Sequence, residues 1–252
     1  MFAEERHVKI LDIIGTKYRV SVKELAKTLN ASEATIRRDL QFLEQGRMLK
    51  RSHGGAITKS VINREPLYHE KEMLYADEKK YIAEIASKFI EDGDSIILDA
   101  GTTTLALCHF IKDKNLNVIT NSLVIAYALS GYQGIDLFVT GGKNRSITKA
   151  LVGDGAIQTL SMYHANKAFM GTNSIDLEHG FTTPDAEESV TKRQMIKSAG
   201  DIFFLVDSSK FNKVSFSKVA NISEADIIIT DKNLNDEIKK DYVSIGATII
   251  NE

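Results

Sequence analysis

The chain has 252 residues, of which 43% are hydrophobic and 26% are charged, a composition typical of a globular protein. It contains no apolar run of about 18 residues and no charged-then-apolar leader, so we expect a cytoplasmic protein without membrane contact. The single cysteine, Cys108, excludes an internal disulfide and a metal site built from several cysteines, and it is predicted to be a buried, unreactive thiol.

The charges are divided unevenly along the chain. Residues 1–60 carry 12 Lys and Arg against 7 Asp and Glu, whereas the remaining residues carry 20 against 27. The formal net charge of −2 therefore combines a basic amino-terminal part with an acidic body. This asymmetry indicates an anionic partner for the amino-terminal part alone.

Three helices are predicted in close succession at the start of the chain. The second has apolar residues at helical spacing and begins at a capping box formed by Ser21 and Glu24. A very short connection at Asn30 and Ala31 follows. Ser32 is then the expected N-cap of the third helix, because its hydroxyl can accept hydrogen bonds from the unpaired amides of the first turn.

The third helix separates an apolar side from a polar side. At about 100° per residue, Ile36, Leu40 and Leu43 fall within one narrow apolar stripe. The opposite side is free for a partner and carries Ala34, Arg37, Arg38 and Gln41. Arginine can bond guanine edges or straddle phosphates, and glutamine can pair with adenine. The pattern therefore predicts a helix-turn-helix whose third helix lies in the major groove of DNA.

A basic hairpin is predicted after the third helix. Two short strand-like runs surround Gly54 and Gly55, and such a hairpin is the wing of a winged helix-turn-helix, which contacts the DNA backbone or minor groove. For the arginines alone, a charged surface helix is the alternative. The cap, the spacing, the wing and the local charge together favour DNA binding. The predicted DNA contacts are Ser32, Glu33, Ala34, Thr35, Arg37, Arg38, Gln41, Lys50, Arg51 and His53.

The pattern changes after the hairpin. Residues 59–75 contain Pro66 and show no sustained periodicity, so we predict a linker there, between a DNA-binding domain over 1–58 and a larger domain over 76–252. In the larger domain, seven short apolar runs alternate with helical segments, which predicts an α/β fold with a mostly parallel sheet and covering helices. The runs are SIILDA, NVIT, DLFVT, KAFMG, IFFLVD, DIIIT and ATIIN.

The loops after these runs are rich in glycine, hydroxyl, amide and basic residues. Ligands bind such sheets at the carboxyl ends of the strands. The first loop, 101–104, opens a helix and is a good seat for phosphate, although it is neither a Walker loop nor a GxGxxG motif.

Each loop alone is explained by turn chemistry, but together they suit a small polyhydroxylated anion such as a sugar phosphate. The predicted phosphate contacts are Thr102, Thr103, Thr104 and Lys210. The predicted hydroxyl contacts are Asp99, Asn121, Asn173 and Asp185. Gly101, Gly141, Gly142 and Arg145 complete the predicted effector site.

The sequence resembles one known family over essentially its whole length. Arg6, the run SEATIRRDL over 32–40 and His53-Gly54-Gly55-Ala56 are similar to the DNA-binding signature of the DeoR family of bacterial transcription regulators. The body is similar to the sensor domain of that family, which implies a ribose-5-phosphate-isomerase-like α/β fold. Asp39 is expected to pair with a neighbouring arginine or lysine, because a carboxylate facing DNA would repel phosphate.

The related isomerase is useful for comparison because its catalytic groups are replaced here. Its Asp-Gly-Ala-Asp-Glu pattern reads Met-Gly-Thr-Asn-Ser over 170–174, and its Thr-Arg-Glu-Lys run has an arginine, Arg193, in place of the general-base glutamate. An amide and a guanidinium cannot exchange protons near neutral pH. We therefore predict no enzyme, with no catalytic residue, cofactor or metal. Asp185 and Glu187 could supply another base, so a sugar-phosphate isomerase or deaminase with an accessory helix-turn-helix domain is the alternative.

The resemblance implies a repressor that binds operator DNA near sugar-uptake or sugar-catabolism genes and is regulated by a phosphorylated sugar in the larger domain. The GTN and GFTTPD stretches most resemble repressors of fructose operons that respond to fructose 1-phosphate. Two recognition helices bind half-sites about 34 Å apart, or a multiple of that distance, so a homodimer or homotetramer is expected. We expect it in the cytoplasm, at the nucleoid when bound to its operator.

Overall fold

The structure is a computed structural model that describes residues 3–17, 19–46, 49–52, 54–58, 65 and 67–252. The chain divides into two compact units, Met1–Pro66 and Leu67–Glu252. The described residues of the first unit form three helices and one antiparallel sheet with the strand order β1-β3-β2. These elements are α1 (Ala3–Lys17), β1 (Arg19–Ser21), α2 (Val22–Leu29), α3 (Glu33–Gln45), β2 (Leu49–Ser52) and β3 (Gly55–Thr58).

The predicted caps of the first unit are confirmed. The Ser21 hydroxyl accepts from the amide of Glu24, and the turn between α2 and α3 reverses at Asn30, which is in the left-handed conformation. The strand β1 was not predicted, because three residues are too few for an alternating pattern. At Gly55, where β3 passes β1, a Cβ would lie only 2.2 Å from the carbonyl oxygen of Val20, so only glycine fits.

One hydrophobic core holds this unit together. It joins α1, α2, α3 and the sheet through aliphatic side chains. The predicted apolar stripe of α3 is confirmed, since Ile36 and Leu40 are 0% exposed and Leu43 is 1% exposed. Burying such side chains stabilises the unit by about 1.5–3 kcal/mol each. The core therefore fixes which side of α3 faces outward.

The second unit is built on a seven-stranded sheet in which every neighbouring pair is parallel. Its order is β15-β14-β12-β9-β4-β5-β6. Each of the seven predicted apolar runs overlaps one of these strands, which confirms the predicted fold class. The strands are β4 (Ser95–Leu98), β5 (Leu116–Thr120), β6 (Ile135–Val139), β9 (Ala165–Gly171), β12 (Ala199–Leu205), β14 (Ile227–Ile229) and β15 (Ile249–Ile250).

Helices cover both faces of this sheet. Successive strand residues point to opposite faces, so Ile97 belongs to one hydrophobic cluster while Ile96 and Leu98 belong to the other. Cys108 is buried in the second cluster, and burial raises the pKa of its thiol to about 12, as expected for an unreactive cysteine. The helices are α4 (Tyr68–Met73), α5 (Ala76–Ser87), α6 (Thr102–Ile111), α7 (Leu123–Leu129), α8 (Asp154–Ser161), α9 (Ala186–Lys197) and α10 (Asp236–Ser244).

Several short elements were not predicted. Six residues of the predicted linker form α4, which is too short to show periodicity in the sequence. A hairpin pairs β7 (Lys143–Arg145) with β8 (Ala150–Val152), and an antiparallel sheet contains β10 (Ser174–Asp176), β11 (Gly180–Thr183) and β13 (Ser217–Ala220). Within the described residues, no helix combines the length and the hydropathy that crossing a membrane would require.

Candidate functional site

The polar face of α3 is the first candidate site. Ala34, Arg37, Arg38 and Gln41 are all exposed, on the side of the helix opposite its buried stripe. Arg37 pairs with Glu33 at 3.2 Å, and the two side chains are 54% and 49% exposed. A solvent-exposed pair of this kind is worth only about 0.3–0.5 kcal/mol, so a stronger anion can displace it. The guanidinium groups are therefore available to a polyanion.

The start of α3 is rigidly capped. The Ser32 hydroxyl accepts from the amide of Thr35 at 3.1 Å and lies 2.8 Å from the Thr35 hydroxyl. These two predicted DNA contacts therefore bond to each other in the free protein. Their arrangement fixes the first turn of the helix and keeps its polar face in place.

The wing carries part of the predicted interface. Arg51 lies on β2 with an exposed side chain, and its backbone amide donates to Glu44 Oε1 at 2.8 Å. This bond connects the wing to the end of α3. The predicted contact His53 and the side chain of Lys50 lie outside the described residues.

Asp39 has the structural role that was predicted for it. Its carboxylate accepts from Arg6 Nε at 2.5 Å and from Arg6 Nη2 at 3.0 Å, and His7 Nε2 lies 3.0 Å from Oδ1. The residue is 5% exposed. Burial alone would raise its pKa, but the hydrogen bonds from Arg6 and His7 hold the pKa of Asp39 below its ordinary value. Arg6 on α1 thus ties α1 to the inner side of α3.

We expect Asp39→Asn to destabilise the DNA-binding unit by about 1.5–3 kcal/mol at neutral pH, the value of hydrogen bonds to a charged group. Because the folded-state pKa is lowered, this stability is present above the unfolded-state pKa of about 3.9 and is lost as pH falls through the folded-state value. Urea unfolding at pH 7 and along an acid series measures both effects. The control Glu33→Gln should cost no more than about 0.5 kcal/mol. Equal losses in both variants would contradict the role of Asp39.

The second candidate site lies at one edge of the seven-stranded sheet. The predicted effector loops follow β4, β5, β6, β9 and β12, which are adjacent strands in the order β12-β9-β4-β5-β6. Because all of these strands are parallel, their carboxyl ends meet at the same edge. The topology thus brings together the loops that contain Asp99, Asn121, Gly141, Asn173 and Lys210.

The loop after β4 leads directly into α6. Gly101 is the N-cap, and the first-turn amides of Thr102 and Thr103 have no acceptor within the helix. The hydroxyl of Thr104 is buried and donates to the carbonyl oxygens of Asp99 and Gly101 at 2.6 and 2.9 Å. Thr104 therefore shapes the loop, and its contact with the phosphate of an effector stays a prediction.

Asn121 connects neighbouring loops. It is 0% exposed, its Oδ1 accepts from the amide of Ala100 at 2.9 Å, and its Nδ2 donates to the carbonyl oxygen of Leu151 at 3.2 Å. Both ends of the amide are thus engaged by backbone. These bonds hold the neighbouring loops in position, and the contact of Asn121 with ligand hydroxyls stays a prediction.

The hairpin β7–β8 carries the predicted basic residue Arg145. Arg145 Nε lies 3.1 Å from Asp185 Oδ2, and its Nη1 lies 3.2 Å from Glu188 Oε2. Asp185 is also the N-cap of α9, where it accepts from the amide of Glu188 at 2.9 Å. Gly142, at the start of the hairpin, has φ +105°, and a Cβ there would lie 2.7 Å from the carbonyl oxygen of Val152. Two predicted effector contacts, Arg145 and Asp185, are therefore paired with each other.

Two further predicted contacts lie on the loops after β9 and β12. Asn173 Oδ1 accepts from the Thr183 hydroxyl at 3.1 Å. Lys210 lies on a 3₁₀ turn with its side chain 30% exposed, and its Nζ is 4.0 Å from Asp207 Oδ2. The partly exposed ammonium of Lys210 can meet an anion that enters at this edge.

Sequence reasoning missed a buried ion pair at the same edge. Lys192 on α9 donates to Asp99 Oδ2 and, at 3.1 Å, to the carbonyl oxygen of Gly171. The side chains of Lys192 and Asp99 are 2% and 0% exposed. The only signal in the sequence was indirect. The inward positions of α9 include Glu188, Lys192 and Met195, so an apolar stripe is absent from this helix even though it packs against the sheet.

The first unit is a winged helix-turn-helix, and the second is an α/β unit whose polar loops meet at one edge of its sheet. This combination is typical of a two-domain transcription regulator. The family model described as DeoR-like helix-turn-helix domain matches residues 6–61, and that described as DeoR C terminal sensor domain matches residues 75–232. The chain belongs to the DeoR family. The predicted family, and the prediction of a regulator and not an enzyme, are confirmed by these matches.

Individual relatives show the extent of the similarity. The chain is 43% identical to the uncharacterized HTH-type transcriptional regulator FruR of Bacillus subtilis over 92% of both chains. It is 37% identical to the HTH-type transcriptional repressor GlcR of the same organism, over 92% of this chain and 90% of that one. Among solved structures, ribose 5-phosphate isomerase A of Methanocaldococcus jannaschii is 20% identical with a TM-score of 0.41, over 54% of this chain and 55% of that one.

Proposed function

We propose that this DeoR-family regulator represses genes for the uptake or catabolism of a sugar. Residues 1–58 bind operator DNA through α3 and the wing, and residues 76–252 bind a phosphorylated sugar, with fructose 1-phosphate as the favoured effector. The similarity to FruR and to the repressor GlcR supports the class of target genes. The proposal that the effector binds at this edge of the parallel sheet is supported above all by the five polar loops that meet there.

The effector's phosphate would bind where positive charge and free amides coincide. The first turn of α6 offers the amides of Thr102 and Thr103 at the positive end of a helix dipole, and Lys210 offers an ammonium. Asp99 and Asn173 would form hydrogen bonds with the sugar hydroxyls. Thr104 and Asn121 would hold the loops in place through their hydrogen bonds to the backbone.

Arg145 suggests how binding could be transmitted. A phosphate that engages its guanidinium competes with the carboxylates of Asp185 and Glu188, which hold the hairpin β7–β8 against α9. The turn of that hairpin also accepts a hydrogen bond, at its Ile147 carbonyl oxygen, from the amide of Tyr68, the first residue of α4. A shift of the hairpin would therefore reach the start of the sensor unit. Regulation needs a coupling of only about 1–3 kcal/mol between the two sites.

A ligand screen on the full-length protein tests the effector site. We expect fructose 1-phosphate to raise the thermal midpoint, since a ligand at 100 times its Kd stabilises the folded state by about 2.7 kcal/mol. Inorganic phosphate should act weakly, and unphosphorylated fructose should not act. Fructose 6-phosphate and glucose 6-phosphate serve as alternative effectors. If none of the three sugar phosphates shifts the midpoint more than fructose does, the proposed sensor role is wrong.

The same ligand should alter DNA binding. An operator can be selected from random duplex DNA by the protein itself, and its retardation measured with and without the stabilising sugar phosphate. Release of the operator is the expected direction. We further propose that the regulator acts as a homodimer or homotetramer, because two recognition helices must occupy two half-sites. Selection should then yield a pair of related half-sites.

A further inference from the structure

The buried pair Lys192–Asp99 leaves one carboxylate oxygen without a partner. Asp99 Oδ2 accepts from the amide of Gly171 at 2.9 Å and from the ammonium of Lys192. The other oxygen, Oδ1, is buried and has no hydrogen-bond partner among the described residues, which include the whole of 67–252. A buried acceptor of this kind is unfavourable unless a donor satisfies it.

The unpaired oxygen belongs to Asp99, which lies at the edge of the sheet where the predicted effector loops meet. Asp99 directly follows β4, and the neighbouring strand β9 ends at Gly171, whose amide holds Oδ2. Gly101, two residues after Asp99, is the N-cap of α6. A group that binds to the first-turn amides of α6 therefore contacts residues that are close to Asp99 in the sequence.

The chemistry of Oδ1 restricts the group that can satisfy it. A carboxylate oxygen only accepts hydrogen bonds, so it repels the oxygens of a phosphate and requires a donor. Lys192 already neutralises the carboxylate through Oδ2, so a second buried cation would be left without compensation. A neutral hydroxyl donates one hydrogen bond and adds no charge. It is the group that fits.

We infer that Asp99 Oδ1 accepts a hydrogen bond from one hydroxyl of the bound sugar phosphate, an inference that rests on the proposed function. Lys192 is the residue that positions Asp99 for this contact. The site is then specific for ligands that have one hydroxyl placed to donate a hydrogen bond to Asp99 Oδ1. Phosphorylated sugars that lack this hydroxyl are rejected even though their phosphate fits. Lys192 acts without touching the ligand, by holding Oδ2 so that Oδ1 stays directed away from it.

Fluorinated ligands test this inference directly, because fluorine replaces a hydroxyl with a group of similar size that cannot donate. The full-length protein is titrated calorimetrically with fructose 1-phosphate and with its 3-, 4- and 6-deoxyfluoro analogues. We expect one analogue to bind roughly 10- to 100-fold more weakly than the parent, the value of a hydrogen bond to a charged acceptor. If every analogue binds within threefold of fructose 1-phosphate, Oδ1 accepts no hydrogen bond from these hydroxyls and the inference is wrong.

The variant Asp99→Asn provides a second test of this hydrogen bond. Its amide presents N–H groups that fluorine can accept from, so the rejected analogue should regain affinity relative to fructose 1-phosphate. Lys192→Met should also reduce the ratio between the two ligands, because Asp99 loses its fixed partner. A uniform loss of affinity for both ligands in these variants would assign the pair a structural role only. If fructose 1-phosphate fails to bind the unaltered protein at all, the proposed effector is wrong and this inference falls with it.

Discussion

Replacing both Arg37 and Arg38 with alanine is expected to weaken operator binding by roughly 30-fold or more, because each arginine contact to a base edge is worth about 1–3 kcal/mol. The thermal midpoint should stay nearly unchanged. Both side chains are exposed, and the single ion pair that is lost, between Arg37 and Glu33, spans 3.2 Å at the surface. Electrophoretic retardation of a selected operator and a melting curve measure the two quantities.

The matched control removes the same charge from the other unit. Lys80→Ala combined with Lys240→Ala eliminates two exposed cations from α5 and α10. Retardation by this control should equal that of the unaltered protein. If the control loses affinity as strongly as the arginine variant, the effect comes from net charge. If the arginine variant still retards the operator fully, the assignment of α3 as the recognition helix is wrong.

The dependence of binding on salt separates the two roles that an arginine can have. Each neutralised phosphate contributes about −0.9 to the slope of log K against log salt concentration. If Arg37 and Arg38 both contact phosphates, the slope should become shallower by roughly 1.8 in the double variant. If they read bases, the slope changes little and discrimination between the operator and random DNA falls. Comparing the two single variants assigns a role to each arginine.

The DNA-binding unit could be predicted because its determinants are local. Ser32 caps α3 from the adjacent position, and Ile36 and Leu40 bury one side of the helix through spacing that is visible in the sequence. The central strands of the sheet were equally evident, since a central parallel strand is buried on both faces and reads as a continuous apolar run. In contrast, β7 and β10 have three residues each and leave no pattern.

The details of the effector site depend on contacts between distant residues. Asn121 was a plausible ligand contact by residue type, but whether its amide faces a ligand or the backbone depends on Ala100 and Leu151, which lie 21 and 30 positions away. Lys192 pairs with a residue 93 positions away. No local pattern indicates such a contact. Sequence reasoning therefore predicted polar loops that meet at one edge of the sheet, but it could not divide their residues into candidate ligand contacts and supports.

The substitution Lys192→Met is expected to destabilise the sensor unit by about 3–5 kcal/mol, because it leaves the carboxylate of Asp99 buried without its counterion. This is a large fraction of the stability of an ordinary domain. Urea unfolding of the full chain measures the loss. Hydrogen exchange of the amides in β4 and β9 localises it, because Asp99 directly follows β4 and Gly171 is the last residue of β9.

A second substitution distinguishes a missing counterion from a packing defect. Asp99→Asn removes the lone charge, so the double variant with Lys192→Met should be more stable than the sum of the two single losses predicts. Lys197→Met on the same helix is the control, since Lys197 is exposed, and it should change stability by no more than about 0.5 kcal/mol. Additive losses in the double variant would mean that the two side chains do not depend on each other. The carboxylate would then lack the fixed orientation that the recognition of a ligand hydroxyl requires.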